Sequence, residues 1–121
     1  MLKTHRDLKV WNEAMDLVTQ VYSVSLRFPK GEIYGLTSQM RRAAISIPSN
    51  IAEGSARSHN REYKQYLTIS LGSASELETQ ILISNRLGYL NHEECDVMIS
   101  RLNEISRMLQ GMIKRISLLN Q

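Results

Sequence analysis

Arg41-Arg42-Ala43-Ala44-Ile45-Ser46-Ile47-Pro48-Ser49-Asn50-Ile51-Ala52-Glu53-Gly54 is a helix-forming run that contains both a proline and a glycine. Helix interiors ordinarily exclude them. Proline lacks the amide donor and crowds the preceding turn, and glycine loses the most backbone entropy. The apolar residues around the run nevertheless keep the helical period. Leu36, Met40, Ala43 and Ala44, Ile47, Ile51 and Gly54 recur at steps of three and four, which predicts a helix over about Leu36 to Ala56. Pro48 removes the amide that would bond the Ala44 carbonyl, so a kink is expected near Ala44–Pro48, with Ser46, Ser49 or a water meeting the freed backbone groups. Gly54 falls on the apolar side, where it lets a neighbouring helix approach closely.

The same helix carries a polar stripe. At about 100° per residue, Arg42, Ser46, Asn50, Glu53 and Arg57 occupy about one quarter of its surface, flanked by Gln39 and Ser49. Glu53 and Arg57 stand four residues apart, a favourable helical ion-pair spacing. Arg41 projects to a different side. Two readings stay open. The stripe is either a structural polar network that sets helix packing and subunit register, or a ligand surface. In the second case Arg41, Arg42 and Arg57 hold phosphates with their planar forks.

Three further helices flank this one, and no segment alternates with period two over a useful length. In the first helix Trp11, Ala14, Val18, Val21, Ser25 and Phe28 form a stripe, widened by Val10, Leu17 and Val24. Asp7 is its expected N-cap, and Pro29 with Gly31 its expected end. The third helix is expected to begin after the cap candidates Ser58 and Asn60 and to run to Leu87. Tyr63, Leu67, Ser70, Ala74, Leu77, Ile81 and Ser84 form its main stripe, and Ile69, Glu76, Gln80, Ile83 and Leu87 a second, roughly opposite one. Two semi-apolar faces predict contact with another subunit. The fourth helix opens on a capping-box pair, Asn91 and Glu94, after the stop signal Gly88. Cys95, Met98, Leu102, Ile105, Leu109, Met112, Ile116 and Leu119 then keep the three–four step. Short links between the helices predict an all-α, antiparallel up-down four-helix bundle with a kinked second helix, in a single domain over residues 1–121.

With 121 residues, 42% hydrophobic and 22% charged, the chain suits one globular domain. No apolar run approaches the roughly 20 residues of a membrane span. Met1-Leu2-Lys3-Thr4-His5-Arg6 lacks the apolar core of a signal peptide, and the single cysteine, Cys95, has no partner for an internal disulfide, so a cytoplasmic location is expected. Net charge is +3 but uneven: residues 1–67 hold ten Lys/Arg against six Asp/Glu, and residues 68–121 hold five against six. Multiplied in a ring of copies, that bias favours an anionic partner.

The run Arg41 to Arg57, followed by Tyr63, Tyr66-Leu67 and Leu71-Gly72-Ser73-Ala74-Ser75-Glu76-Leu77, resembles a small four-helix-bundle protein family encoded in intervening sequences of bacterial 23S ribosomal RNA genes. The opening Asp7-Leu8-Lys9-Val10-Trp11 with Ala14 is similar as well, so the resemblance covers nearly the whole chain. It implies a bundle that assembles as a homopentamer. Related proteins include the accessory variability determinant of diversity-generating retroelements, a basic pentameric barrel that binds a reverse transcriptase and nucleic acid. No catalytic residues and no cofactor come with the resemblance. The functional expectation is a non-enzymatic accessory protein with RNA or DNA, and a reverse transcriptase, as candidate partners. Arg41, Arg42, Arg57, Arg61 and Lys64 would contact the nucleic acid. The alternative is a purely structural assembly module.

Other constellations weigh less. His92-Glu93-Glu94-Cys95-Asp96 reads as the acidic first turn of a helix rather than a metal site. Arg86 and His92 have the spacing of the Arg–His pair in HEPN-type ribonucleases, but that pair needs one continuous helix and Gly88-Tyr89-Leu90-Asn91 interrupts this one. His59 with Glu53 would make an acid–base pair only if the helix junction brought them together. Tyr63 and Tyr66 beside Arg57, Arg61 and Lys64 either clamp single-stranded nucleic acid or pack within the bundle and at an interface.

Overall fold

The computed structural model describes residues 4–119. Four helices follow in order: α1 (Lys9–Ser25), α2 (Leu36–Ser55), α3 (Asn60–Arg86) and α4 (His92–Leu119), with 3-10 turns at His5–Asp7 and Lys30–Glu32. No strand occurs among the described residues. Each helix presents its apolar stripe to one shared core. Ala14, Leu17 and Val21 of α1, Met40, Ala44, Ile47 and Ile51 of α2, Leu67, Leu77 and Ile81 of α3, and Met98, Leu102, Ile105 and Leu109 of α4 join one buried cluster.

Side-chain contacts set the direction of the pairing. Between α2 and α3, Met40 meets Ser84, Ser46 meets Ser73 and Ile47 meets Ser70, so one chain ascends as the other descends. Between α1 and α4, Arg27 pairs with Glu94, and Gln20 accepts a 3.3 Å hydrogen bond from Arg101. The α2–α3 and α3–α4 links, residues 56–59 and 87–91, are short and keep consecutive helices side by side and antiparallel.

The ends of the helices show which local signals prevailed. Asn91 and Glu94 form the expected reciprocal cap: the Glu94 amide donates to Asn91 Oδ1 at 2.8 Å and the Asn91 amide to Glu94 Oε1 at 3.1 Å. Gly88 follows α3 with φ of 82°, a left-handed conformation that glycine adopts without strain. Asp7, however, does not cap α1. It closes a 3-10 turn whose cap is Thr4: Asp7 Oδ2 accepts the Thr4 amide at 3.0 Å, and α1 begins only after the uncapped Leu8. Helix α1 also stops at Ser25, short of Pro29. Pro29 offers no amide to the Ser25 carbonyl and disfavours a helical Phe28, so Phe28 turns inward and packs on Tyr89 with ring centroids 5.3 Å apart. Neither Ser58 nor Asn60 caps α3. His59 precedes it in extended conformation, and its carbonyl takes the amides of Glu62 and Tyr63, each at 3.1 Å.

Helix α2 is continuous from Leu36 to Ser55 with Pro48 buried inside it, an arrangement compatible with a kink at the proline. Three further expectations change. The Ser46 hydroxyl goes to Ser73 rather than to the backbone freed by Pro48. Leu119 is 72% exposed and adds nothing to the core. Gln80 is only 6% exposed, so the second face of α3 borders the buried stripe instead of opposing it; Ile69, Ile83 and Leu87 remain exposed.

Candidate nucleic-acid interface

The polar stripe of α2 lies along its seam with α3. In the middle, Ser46 Oγ and Ser73 Oγ share a 2.8 Å hydrogen bond. Asn50 Nδ2 donates to the Ser46 carbonyl at 2.8 Å and to Ser46 Oγ at 2.9 Å. One turn away the fully buried Ser70 hydroxyl donates to the Ile47 carbonyl at 2.9 Å. These groups satisfy one another, so the middle of the stripe is a packing network. Gly54 closes the seam: a Cβ there would stand 2.7 Å from Tyr66 Cβ and 2.9 Å from Tyr63 Cδ1.

The five cations expected to bind phosphate fall into two groups. Arg57, Arg61 and Lys64 surround the α2–α3 turn, while Arg41 and Arg42 lie about 24 Å away at the helical rise of about 1.5 Å per residue. Arg57 is held in place. Its Nη2 donates to the Tyr66 hydroxyl at 2.8 Å, its guanidinium lies 5.1 Å from that ring's centre, and Glu53 is 3.7 Å away. Arg61 and Lys64 form no ion pair among the described residues and line a shallow groove with Gln65, Thr68 and Ile69. Tyr63 and Tyr66 are half-buried against Gly54, so neither ring is a free stacking platform. Burial raises the Tyr63 phenol pKa above its usual value, while the Arg115 guanidinium pulls it down. Arg115 is thus within electrostatic reach of Tyr63 although it lies in α4. Counting charge along the sequence misses it. Tracing which helix ends share one end of an antiparallel bundle finds it.

Arg41 serves a different contact. Its Nε donates to Ser25 Oγ at 2.9 Å and its guanidinium lies 4.5 Å over the Tyr22 ring, fastening α2 to α1. Arg42 is exposed on the outer face of α2. Between α1 and α2, Trp11, Met15, Val18, Ile45, Pro48 and Ala52 line an apolar groove of about 340 Å³.

The remaining constellations do not assemble. Arg86 ends α3 and His92 begins α4, so the Arg–His pair does not share a helix. Glu53 faces Arg57, and no hydrogen bond joins it to His59 among the described residues. Cys95 is buried, and desolvation with nearby Asp96 pushes its thiol pKa up, away from reactivity. Glu94, expected in a metal-like cluster, caps α4 and pairs with Arg27. No helix among the described residues is long and apolar enough to cross a membrane.

With four helices in this arrangement, the family model for the 23S rRNA-intervening sequence protein matches residues 6–111. The chain belongs to that family. No curated protein matches it. A crystal structure of a protein of unknown function, from the S23 ribosomal protein family of Bacteroides thetaiotaomicron VPI-5482, shares the fold with a TM-score of 0.79. The two are 21% identical, over 87% of this chain and 98% of that one.

Proposed function

We propose that this member of the 23S rRNA-intervening sequence protein family is a non-enzymatic, self-associating bundle that binds RNA or DNA as an accessory protein. The gathering of Arg57, Arg61 and Lys64 around one turn carries the reading, since Arg61 and Lys64 have no carboxylate partner among the described residues. Cations left unpaired on an exposed corner attract a polyanion and release its counterions on contact. Self-association is supported by the apolar groove between α1 and α2 and by the exposed Ile69, Leu82, Ile83 and Leu87 on α3. The family resemblance sets the expected assembly at five copies.

Fluorescence anisotropy with labelled RNA and DNA tests the binding. Affinity should fall steeply with salt and collapse in the Arg57→Gln/Arg61→Gln/Lys64→Gln variant. Retention of full affinity by that variant refutes the assignment. Light scattering tests assembly, and a monomer at micromolar concentration refutes it. A second reading, a purely structural assembly module, is favoured by the self-satisfied network of Ser46, Asn50 and Ser73. It predicts that no variant changes nucleic-acid binding because the wild-type chain has none.

A further inference from the structure

An antiparallel bundle folds distant parts of the sequence onto a common end. Here the start of α1, the α2–α3 turn and the last turns of α4 lie together. Lys9 and Arg115 line one groove with Leu8, Met108 and Met112, between α1 and α4. Arg115 also acts electrostatically on Tyr63, whose backbone packs beside Gly54 near Arg57. The cationic corner therefore continues over the tip.

The charge balance of the two ends differs. At this end Arg6 and Lys9 lie at or just before the start of α1, Arg57, Arg61 and Lys64 bracket the turn, and Arg107, Lys114 and Arg115 lie in the second half of α4. These eight cations face four carboxylates: Asp7, Glu53, Glu62 and Glu104. Of the four, Glu53 is 3.7 Å from Arg57 and Glu104 is 3.5 Å from Lys9, both exposed pairs that a phosphate displaces at little cost. At the opposite end Arg27, Lys30, Arg41, Arg42 and Arg86 face Glu32, Glu93, Glu94 and Asp96, five cations against four carboxylates. The cationic excess is thus larger at the end that holds the α2–α3 turn. Summed over sequence halves, the same charges conceal this, because Lys114 and Arg115 count with the acidic half.

We infer that the whole basic end is the binding surface for a nucleic-acid phosphodiester backbone, with Lys9 and Arg115 as contacts on its α1–α4 side. The inference deepens, and rests on, the nucleic-acid reading above. It also narrows it. Arg41, committed to Tyr22 and Ser25, lies outside the surface. The aromatic rings at this end, Tyr63 and Tyr66, are half-buried and engaged, so binding runs through phosphates and is indifferent to base sequence.

The test is the Lys9→Gln/Arg115→Gln variant, measured by anisotropy against a short single-stranded RNA and a DNA duplex across a salt series. On single strands each phosphate contact contributes about 0.7 to the log–log salt slope, or about fivefold in affinity near 0.1 M salt. Losing two contacts should flatten the slope by about 1.4 and weaken binding about 25-fold. Lys9→Arg/Arg115→Lys keeps both charges and should restore binding, which separates charge from folding. Arg27→Gln/Arg86→Gln, at the opposite end, should change nothing. A loss on both probes supports a shared backbone contact, and a loss on one supports it for that polymer. If the Arg57, Arg61 and Lys64 variant loses affinity while the Lys9 and Arg115 variant keeps wild-type affinity and slope, the extended surface is wrong and the corner reading survives. If the wild-type chain binds neither probe, both fall.

Discussion

Gly54→Ala tests the geometry on which the seam depends. In an open helix interior this substitution stabilises by about 1 kcal/mol, because alanine loses less backbone freedom than glycine. At Gly54 the new Cβ would meet Tyr66 Cβ at 2.7 Å and the Tyr63 carbonyl oxygen at 3.3 Å. Ordinary contact begins at 3.4 Å, so α2 and α3 must part by about 0.7 Å at Tyr66. Tyr66 Cβ is rooted in the backbone and has no rotamer that moves it away. Overpacking of this kind costs about 1–3 kcal/mol, and the upper part of that range applies where the obstruction is rigid. Set against the propensity gain, the net loss is about 1–2 kcal/mol. At about 4 °C per kcal/mol for a domain of this size, the melting temperature should fall by about 4–8 °C. Gly72→Ala and Gly111→Ala supply the controls. Both sites are helical with nothing within 4 Å of the added Cβ, and each should gain about 0.5–1 kcal/mol. Thermal and urea denaturation of the three variants side by side decides the matter. A Gly54→Ala chain as stable as the Gly111→Ala chain refutes the close approach of α2 to α3.

Ser70→Ala should lower stability by about 1 kcal/mol in urea denaturation, since the hydroxyl lost is fully buried and bonded to the Ile47 carbonyl. Arg41→Ala removes the stack on Tyr22 and the bond to Ser25, so it should cost about 0.5–1 kcal/mol of stability while leaving nucleic-acid affinity unchanged by anisotropy. Alkaline pH should destabilise the bundle. The Tyr63 phenol pKa is raised by burial, and that of Tyr89 first by its 2.9 Å hydrogen bond to Glu32 and then by burial. A phenol whose folded pKa exceeds its unfolded value of about 10 supports the fold below that pH and loses the support as pH rises through the folded value. Denaturation midpoints measured from neutral to strongly alkaline pH should therefore fall above about pH 10, and less so in Tyr89→Phe.

The features legible in the sequence are those decided within a few residues. The span of α2 follows from its apolar period, the start of α4 from the reciprocal chemistry of Asn91 and Glu94, and the end of α3 from Gly88. Even local signals fail where two compete. Asp7 is a sound cap by type, yet Thr4 two residues before Arg6 offers a second solution, and the chain uses Asp7 to close that turn instead. Tertiary partners were not legible at all. Nothing near Gln80 in sequence says that its side chain lies at the edge of the buried stripe, or that Arg115 comes to Tyr63. Both follow only once the helices are placed antiparallel. The candidate site shows the same division. Helical angles put Ser46, Asn50, Glu53 and Arg57 on one stripe, but only the position of α3 tells which of them it covers.

That division explains how one stripe serves two ends. Suppose α2 slid along α3 by one turn, about 5.4 Å. The Ser70 hydroxyl would leave the Ile47 carbonyl, and an unpaired buried hydroxyl costs about 1–3 kcal/mol. In one direction Asn50 would arrive opposite Tyr63 and Tyr66, where even a methyl group stands 2.7 Å from Tyr66 Cβ. The slip is therefore blocked by sterics at Gly54 and opposed by hydrogen bonding at Ser46, Ser70 and Ser73. Leucines along the same seam would bury more apolar area, but they would fit several registers almost equally well. Small hydroxyl residues give up some of that area and select one register. A fixed register places Tyr66 under Arg57, and Tyr66 in turn holds the guanidinium at the turn beside Arg61 and Lys64. Packing in the middle of the stripe thus positions charge at its end, and the packing of α2 and its proposed ligand-binding role become successive steps of one arrangement.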